Sequence, residues 1–177
     1  MKKLVLGIVL IIFLFSVQTS FAQSTPSAQI RDVQYDLPYT GILPDNPLYF
    51  LKAVRDNVLN MLITEPLKKA DFDLLMANKR LGGAQALLAK DKDDLAITTL
   101  SKSGNYFDQA IQQATIAKRR GENANDIISR LITASLKHQQ VIFQMIQQAD
   151  GNSKGTLQAS LNRMEELQNS VESIKSN

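Results

Sequence analysis

Leu67, Ala70, Leu74, Ala77, Leu81, Ala84 and Leu88 recur at alternating steps of three and four residues. Such spacing places all seven on one face of a helix and predicts a seam that packs against neighbouring helices at a shallow angle. Large and small residues alternate along it, so a partner can approach closely at the alanines. Gly82 and Gly83 interrupt the pattern, each at a cost of about 1 kcal/mol relative to Ala in a helix interior. A close contact over the glycines accounts for them, or else a kink.

The rest of the chain reads the same way. Leu48, Leu51, Val54 or Arg55, Val58 and Leu62 keep helical spacing after Asn46-Pro47, a good cap followed by a good first helical residue. This predicts that Leu48, Tyr49 and Leu51 are buried, with Lys52 and Arg55 near the surface. Asp91, Asp93 and Asp94 open a further helix that Lys118-Arg119-Arg120 and Gly121 close, matching the helix dipole and the glycine stop. Its stripe of Ala96, Leu100, Ser103, Phe107, Ala110, Ala114 and Ala117 is thin, and suits packing within the monomer or across a dimer. Asn123 caps a fourth helix faced by Leu131, Ala134, His138 and Met145, and Leu157 to Ile174 form a fifth. The predicted helices lie near residues 47–63, 65–90, 92–120, 124–149 and 155–175. No strand-like alternation of useful length appears. The expected fold is all-α, an up-down bundle of four to five helices with an N-terminal extended strap.

Ahead of the bundle, Lys2-Lys3, the apolar run Leu4 to Val17 and the small, polar end at Ala22 read as a signal peptide over residues 1–22, cleaved between Ala22 and Gln23. As a helix the run spans about 21 Å, short of the roughly 30 Å hydrocarbon core. Residues 23–34 form a flexible leader. The domain covers 35–177, of which 35–46 is a strap too apolar for a free linker. Tyr35, Leu37, Tyr39, Leu48 and Tyr49 are its candidate packing or interaction residues. With no Cys in the chain, stability comes from apolar burial and not from disulfides. The net charge of +3 falls to about +1 once Lys2 and Lys3 leave, which gives no argument for nucleic acid.

Candidate chemistry is sparse. His138, the one histidine, sits on an apolar face with no Cys or second His to share a metal, and reads as a buried, hydrogen-bonded side chain. Asp150 to Gly155 brushes a calcium-loop pattern. However, Lys154 stands at a ligand position, and Leu161 stands where a bidentate Glu is needed. Leu37-Pro38-Tyr39-Thr40-Gly41 matches a sortase pentapeptide but lies at the wrong end of the chain, and reads as a turn. Asp91, Asp93 and Asp94 complement a helix dipole, and Lys118 to Arg120 form a solvated helix end. No nucleophile motif, phosphate loop or metal helix is present, so no cofactor is expected. Paired carboxylates are what an enzymatic reading would have to use.

The stretch Tyr35-Asp36-Leu37-Pro38-Tyr39-Thr40-Gly41-Ile42-Leu43-Pro44-Asp45-Asn46-Pro47-Leu48-Tyr49-Phe50-Leu51-Lys52 resembles the opening of bacterial exported proteins that carry domain of unknown function 5667. The likeness continues through Glu65 to Ala70 and Ala77 to Leu81, covers roughly Tyr35 to Ala117, and fades in the last two helices. The resemblance implies a helical, extracytoplasmic protein, with no activity to carry over. The resulting expectation is an exported, non-enzymatic module that binds another protein or a cell-envelope component. The alternative is a structural envelope protein held in the membrane by an uncleaved first helix.

Overall fold

The computed structural model describes residues 32–151 and 153–176. The signal segment, Ala22 and Gln23 lie outside them. Among the described residues five helices follow one another: α1 (Tyr49–Leu62), α2 (Pro66–Leu88), α3 (Asp93–Arg119), α4 (Asn125–Gln148) and α5 (Ser153–Ser176). No strand occurs among the described residues. The fold is all-α.

Side-chain ties fix the directions of the helices. Ser103 on α3 donates its hydroxyl to the Ala77 carbonyl on α2 at 2.8 Å, and Thr99 lies beside Gly83, so α2 and α3 run antiparallel. Arg130 reaches Asp71 and His138 meets Asn78, so α4 runs parallel to α2. Ser153 meets Asp93, Arg163 meets Asn105 and Lys118 meets the Ile174 carbonyl, so α5 runs parallel to α3. These four helices make the up-down bundle. The seam read from α2 is buried along its length, apart from a half-exposed Leu67, and it meets the alanine stripe of α3 inside the monomer. Phe107 fills the centre, fully buried, edge-on to His138 with ring centroids 5.0 Å apart.

Local ends follow backbone chemistry more closely than charge patterning. α2 closes where the Lys92 amide bonds the Leu87 carbonyl and the Asp91 amide bonds that of Leu88. Asp91 takes a left-handed φ of 56° in this turn, so it ends α2 and does not open α3. Asp93 and Asp94 do occupy the first turn of α3, and Lys118 and Arg119 the last. The expected start of α1 also shifts. Asn46 accepts the Leu48 amide at 2.9 Å in a turn, and the helix begins at Tyr49.

The strap crosses α2, and residues 32 and 33 just ahead of it bond to α4. The Val33 amide donates to Gln140, Gln140 donates to Asp32, and Lys137 donates to the Val33 carbonyl. Tyr35, Leu37 and Leu43 pack on the core, whereas Tyr39 stays 87% exposed. Gly82 is the seat of this crossing. A Cβ there would stand 2.8 Å from the Thr40 methyl, while at Gly83 the nearest atoms would be an ordinary 3.6 Å away. α2 runs unbroken through both glycines; Gly82 accommodates the strap, and Gly83 lies against both Leu43 of the strap and Thr99 of α3.

Candidate interaction surface

α1 lies outside the bundle and is oriented opposite to the sequence expectation. At about 100° per residue, Phe50, Leu51, Val54, Val58, Met61 and Leu62 share one arc. Tyr49, Lys52, Ala53, Asp56 and Asn60 share the other. The polar arc faces the bundle. Eight apolar side chains from Leu48 to Leu62 remain 43–82% exposed, and among the described residues the apolar core takes none from α1. Leu48 and Leu51 are therefore exposed, not buried, and Lys52 is half-buried. Of the strap and entry aromatics, Tyr35 and Tyr49 pack, while Tyr39 and Phe50 do not.

Specific polar contacts hold the helix this way round. Asp56, 1% exposed, accepts hydrogen bonds from Arg55 and lies 3.5 Å from the Arg80 guanidinium on α2. The second contact is an ion pair without a hydrogen bond, and Arg80 Nε has no partner within the protein. Arg80 instead stands over two aromatic rings, 5.5 Å from the centre of Tyr49 and 5.9 Å from that of Tyr106, which stabilise its charge. Lys52 donates to the carbonyls of Thr40 and Ile42, on either side of the Gly41 turn. Lys69 reaches Asn60 at the far end. Burial lowers the Lys52 pKa, with the nearby Arg80 charge adding to the effect, and burial raises that of Tyr49. Beneath α1 a polar cleft of about 320 Å³ remains, lined by Tyr49, Asn57, Arg80, Lys102, Tyr106 and Gln109 among others.

A second polar cluster belongs to the core. His138, wholly buried, donates from Nε2 to Asn78 Oδ1 at 2.9 Å, and Asn78 donates to the Tyr35 hydroxyl at 2.7 Å. Burial pushes the imidazole down to about 3, so it stays neutral. This short chain of bonds ties the strap to two helices. Asp73 on α2 is also fully buried, and neither carboxylate oxygen has a hydrogen-bond partner within the protein. Burial lifts it to about 6, against the opposing pull of Lys69.

The remaining sequence candidates do not converge. Asp91 and Asp93 flank a turn, Asp93 accepts the Ser153 hydroxyl, and no cluster of three metal-type ligands occurs among the described residues. Ser153, Lys154 and Gly155 belong to the first turn of α5, which leaves no twelve-residue calcium loop. Lys118 is engaged by the Ile174 carbonyl. The exposed face of α1, which periodicity alone assigned to the core, is the feature that sequence reasoning missed. Its signal was Asp56 and Asn60 on the face opposite the apolar arc.

No helix among the described residues is long and apolar enough to cross a membrane. The chain matches no curated protein and no solved structure. A family model for a domain of unknown function, DUF5667, matches residues 41–176. That span begins after the strap tyrosines and runs through the last two helices, well beyond the Tyr35 to Ala117 stretch that carries the resemblance in the sequence. The strap turn, α1 and the four-helix bundle therefore form one family unit, and the chain belongs to the DUF5667 family.

Proposed function

We propose that this chain is an exported, non-enzymatic module that binds another protein or a cell-envelope component, with α1 as its binding element. The observation that supports the reading is the outward apolar face of α1, fastened from below by Asp56, Lys52 and Asn60. Helices normally turn such a face inward. A contiguous exposed apolar surface rimmed by polar residues marks an interaction site. The signal-like sequence of residues 1–22 supplies the export half of the proposal.

Capture from envelope fractions tests it. The unaltered chain should retain a specific partner, and Val54→Lys or Val58→Lys should lose it with unchanged circular dichroism. Equal capture by both variants would remove α1 from the account. N-terminal sequencing of the exported material should begin at Gln23, and an intact Met1 would favour membrane anchoring.

A further inference from the structure

The chemistry of the α1 face narrows what can cover it. No charged side chain lies on the arc of Phe50, Leu51, Val54, Val58, Met61 and Leu62. A helix seated on an anionic lipid surface carries Lys and Arg around its apolar face. The α1 cations are committed elsewhere, Lys52 to the strap carbonyls and Arg55 to Asp56. The face is built for an apolar protein surface.

Its residue order is self-complementary. Leu51, Val54, Val58 and Met61 follow the three-four-three spacing of a heptad seam. Valines occupy the middle and bulkier side chains both ends. Two such helices laid antiparallel would cross at the valines, with Leu51 of one against the partner's Met61. The size also fits. The six apolar side chains of the arc expose on the order of 650 Å², taking roughly 150–200 Å² for each when fully exposed. That lies at the top of the roughly 300–600 Å² of the largest patch on a typical monomer and within the roughly 600–1,000 Å² per partner of a standard interface. Resting on the reading of α1 as the binding element, we infer that its outward face packs antiparallel against α1 of a second copy of this chain, forming a two-fold dimer.

The chain has no native Cys, so introduced thiols report geometry cleanly. In an antiparallel pair Val54 lies level with the partner's Val58. An oxidised mixture of Val54→Cys and Val58→Cys chains should therefore yield the mixed 54–58 disulfide in preference to either like-with-like product. Sedimentation equilibrium of the purified chain should show a concentration-dependent dimer, weakened at least tenfold by Val58→Lys. A monomer throughout the micromolar range, a majority of like-with-like disulfides, or a dimer indifferent to Val58→Lys overturns the inference. A monomer that cosediments with phosphatidylglycerol vesicles overturns it too, and assigns the face to lipid. If the chain is monomeric while Val58→Lys still abolishes envelope capture, the dimer fails and the binding reading stands. If Val58→Lys changes neither association nor capture, both fail.

Discussion

Replacing Asp73 by asparagine should stabilise the protein at neutral pH and leave it nearly unchanged in acid. The carboxylate is fully buried with no hydrogen-bond partner on either oxygen. Its pKa in the folded protein is about 6, against an ordinary value of 3.8. The folded state therefore holds the proton over a pH range in which the unfolded chain has released it. Stability contributed by this group falls as pH rises from about 4 to about 6, and the loss is complete above that. About two pH units at 1.36 kcal/mol each come to roughly 3 kcal/mol. Asparagine keeps the size and the unmet polar atoms of protonated Asp but cannot ionise, so the difference isolates the charge. Urea titrations of both proteins at several pH values between about 4 and 8 measure it. The advantage of Asp73→Asn should grow from near zero to about 3 kcal/mol across that window, with an unchanged m-value. Stability curves that run parallel at every pH would refute the reasoning.

Gly82→Ala should destabilise, because the new Cβ meets the Thr40 methyl. The same change in a Thr40→Ser background should stabilise by up to about 1 kcal/mol through helix propensity, and a thermal-melt double-mutant cycle reads the change of sign. The His138 ring should show no titration by NMR between about pH 5 and 8. Because its folded pKa is depressed to about 3, its neutral form contributes stability that declines as pH falls below its ordinary 6.5, opposite in direction to Asp73. Asp56→Ala should cost about 3 kcal/mol, since it leaves the Arg80 guanidinium buried without a counter-charge, and should speed proteolysis in the turn between α1 and α2.

Much of this architecture was legible in the sequence because it follows from periodicity. The three-four spacing of Leu67 to Leu88 and the alanine series of α3 each define one face, and two matching faces can only pack together. The buried, partnered His138 was legible for a related reason, as a lone imidazole on an apolar stripe. The orientation of α1 was not. Periodicity tells which side of a helix is apolar, and inward burial is an additional assumption. In α1 the assumption fails because Asp56, Tyr49 and Lys52 find specific partners in Arg80 and the strap carbonyls. Those pairings are long-range, and spacing carries no information about them. Gly82 illustrates the same limit. A close approach was one of two readings, but the approaching residue is Thr40 in a segment without regular structure. Asp91 looked like a helix-opening acid, and only the backbone shows it as the left-handed end of the preceding helix.

The outward orientation of α1 can be tested by making its face polar. Leu51, Val54, Val58 and Met61 should be changed together to glutamine, and the unfolding free energy measured at a concentration low enough that no dimer forms. The account predicts a change within about 2 kcal/mol, since each of four substitutions at exposed positions shifts stability by no more than about 0.5 kcal/mol. Four core truncations would instead cost about 2–5 kcal/mol apiece and unfold the domain. A collapse of that size would show that these side chains are buried in the folded monomer, and would contradict the account.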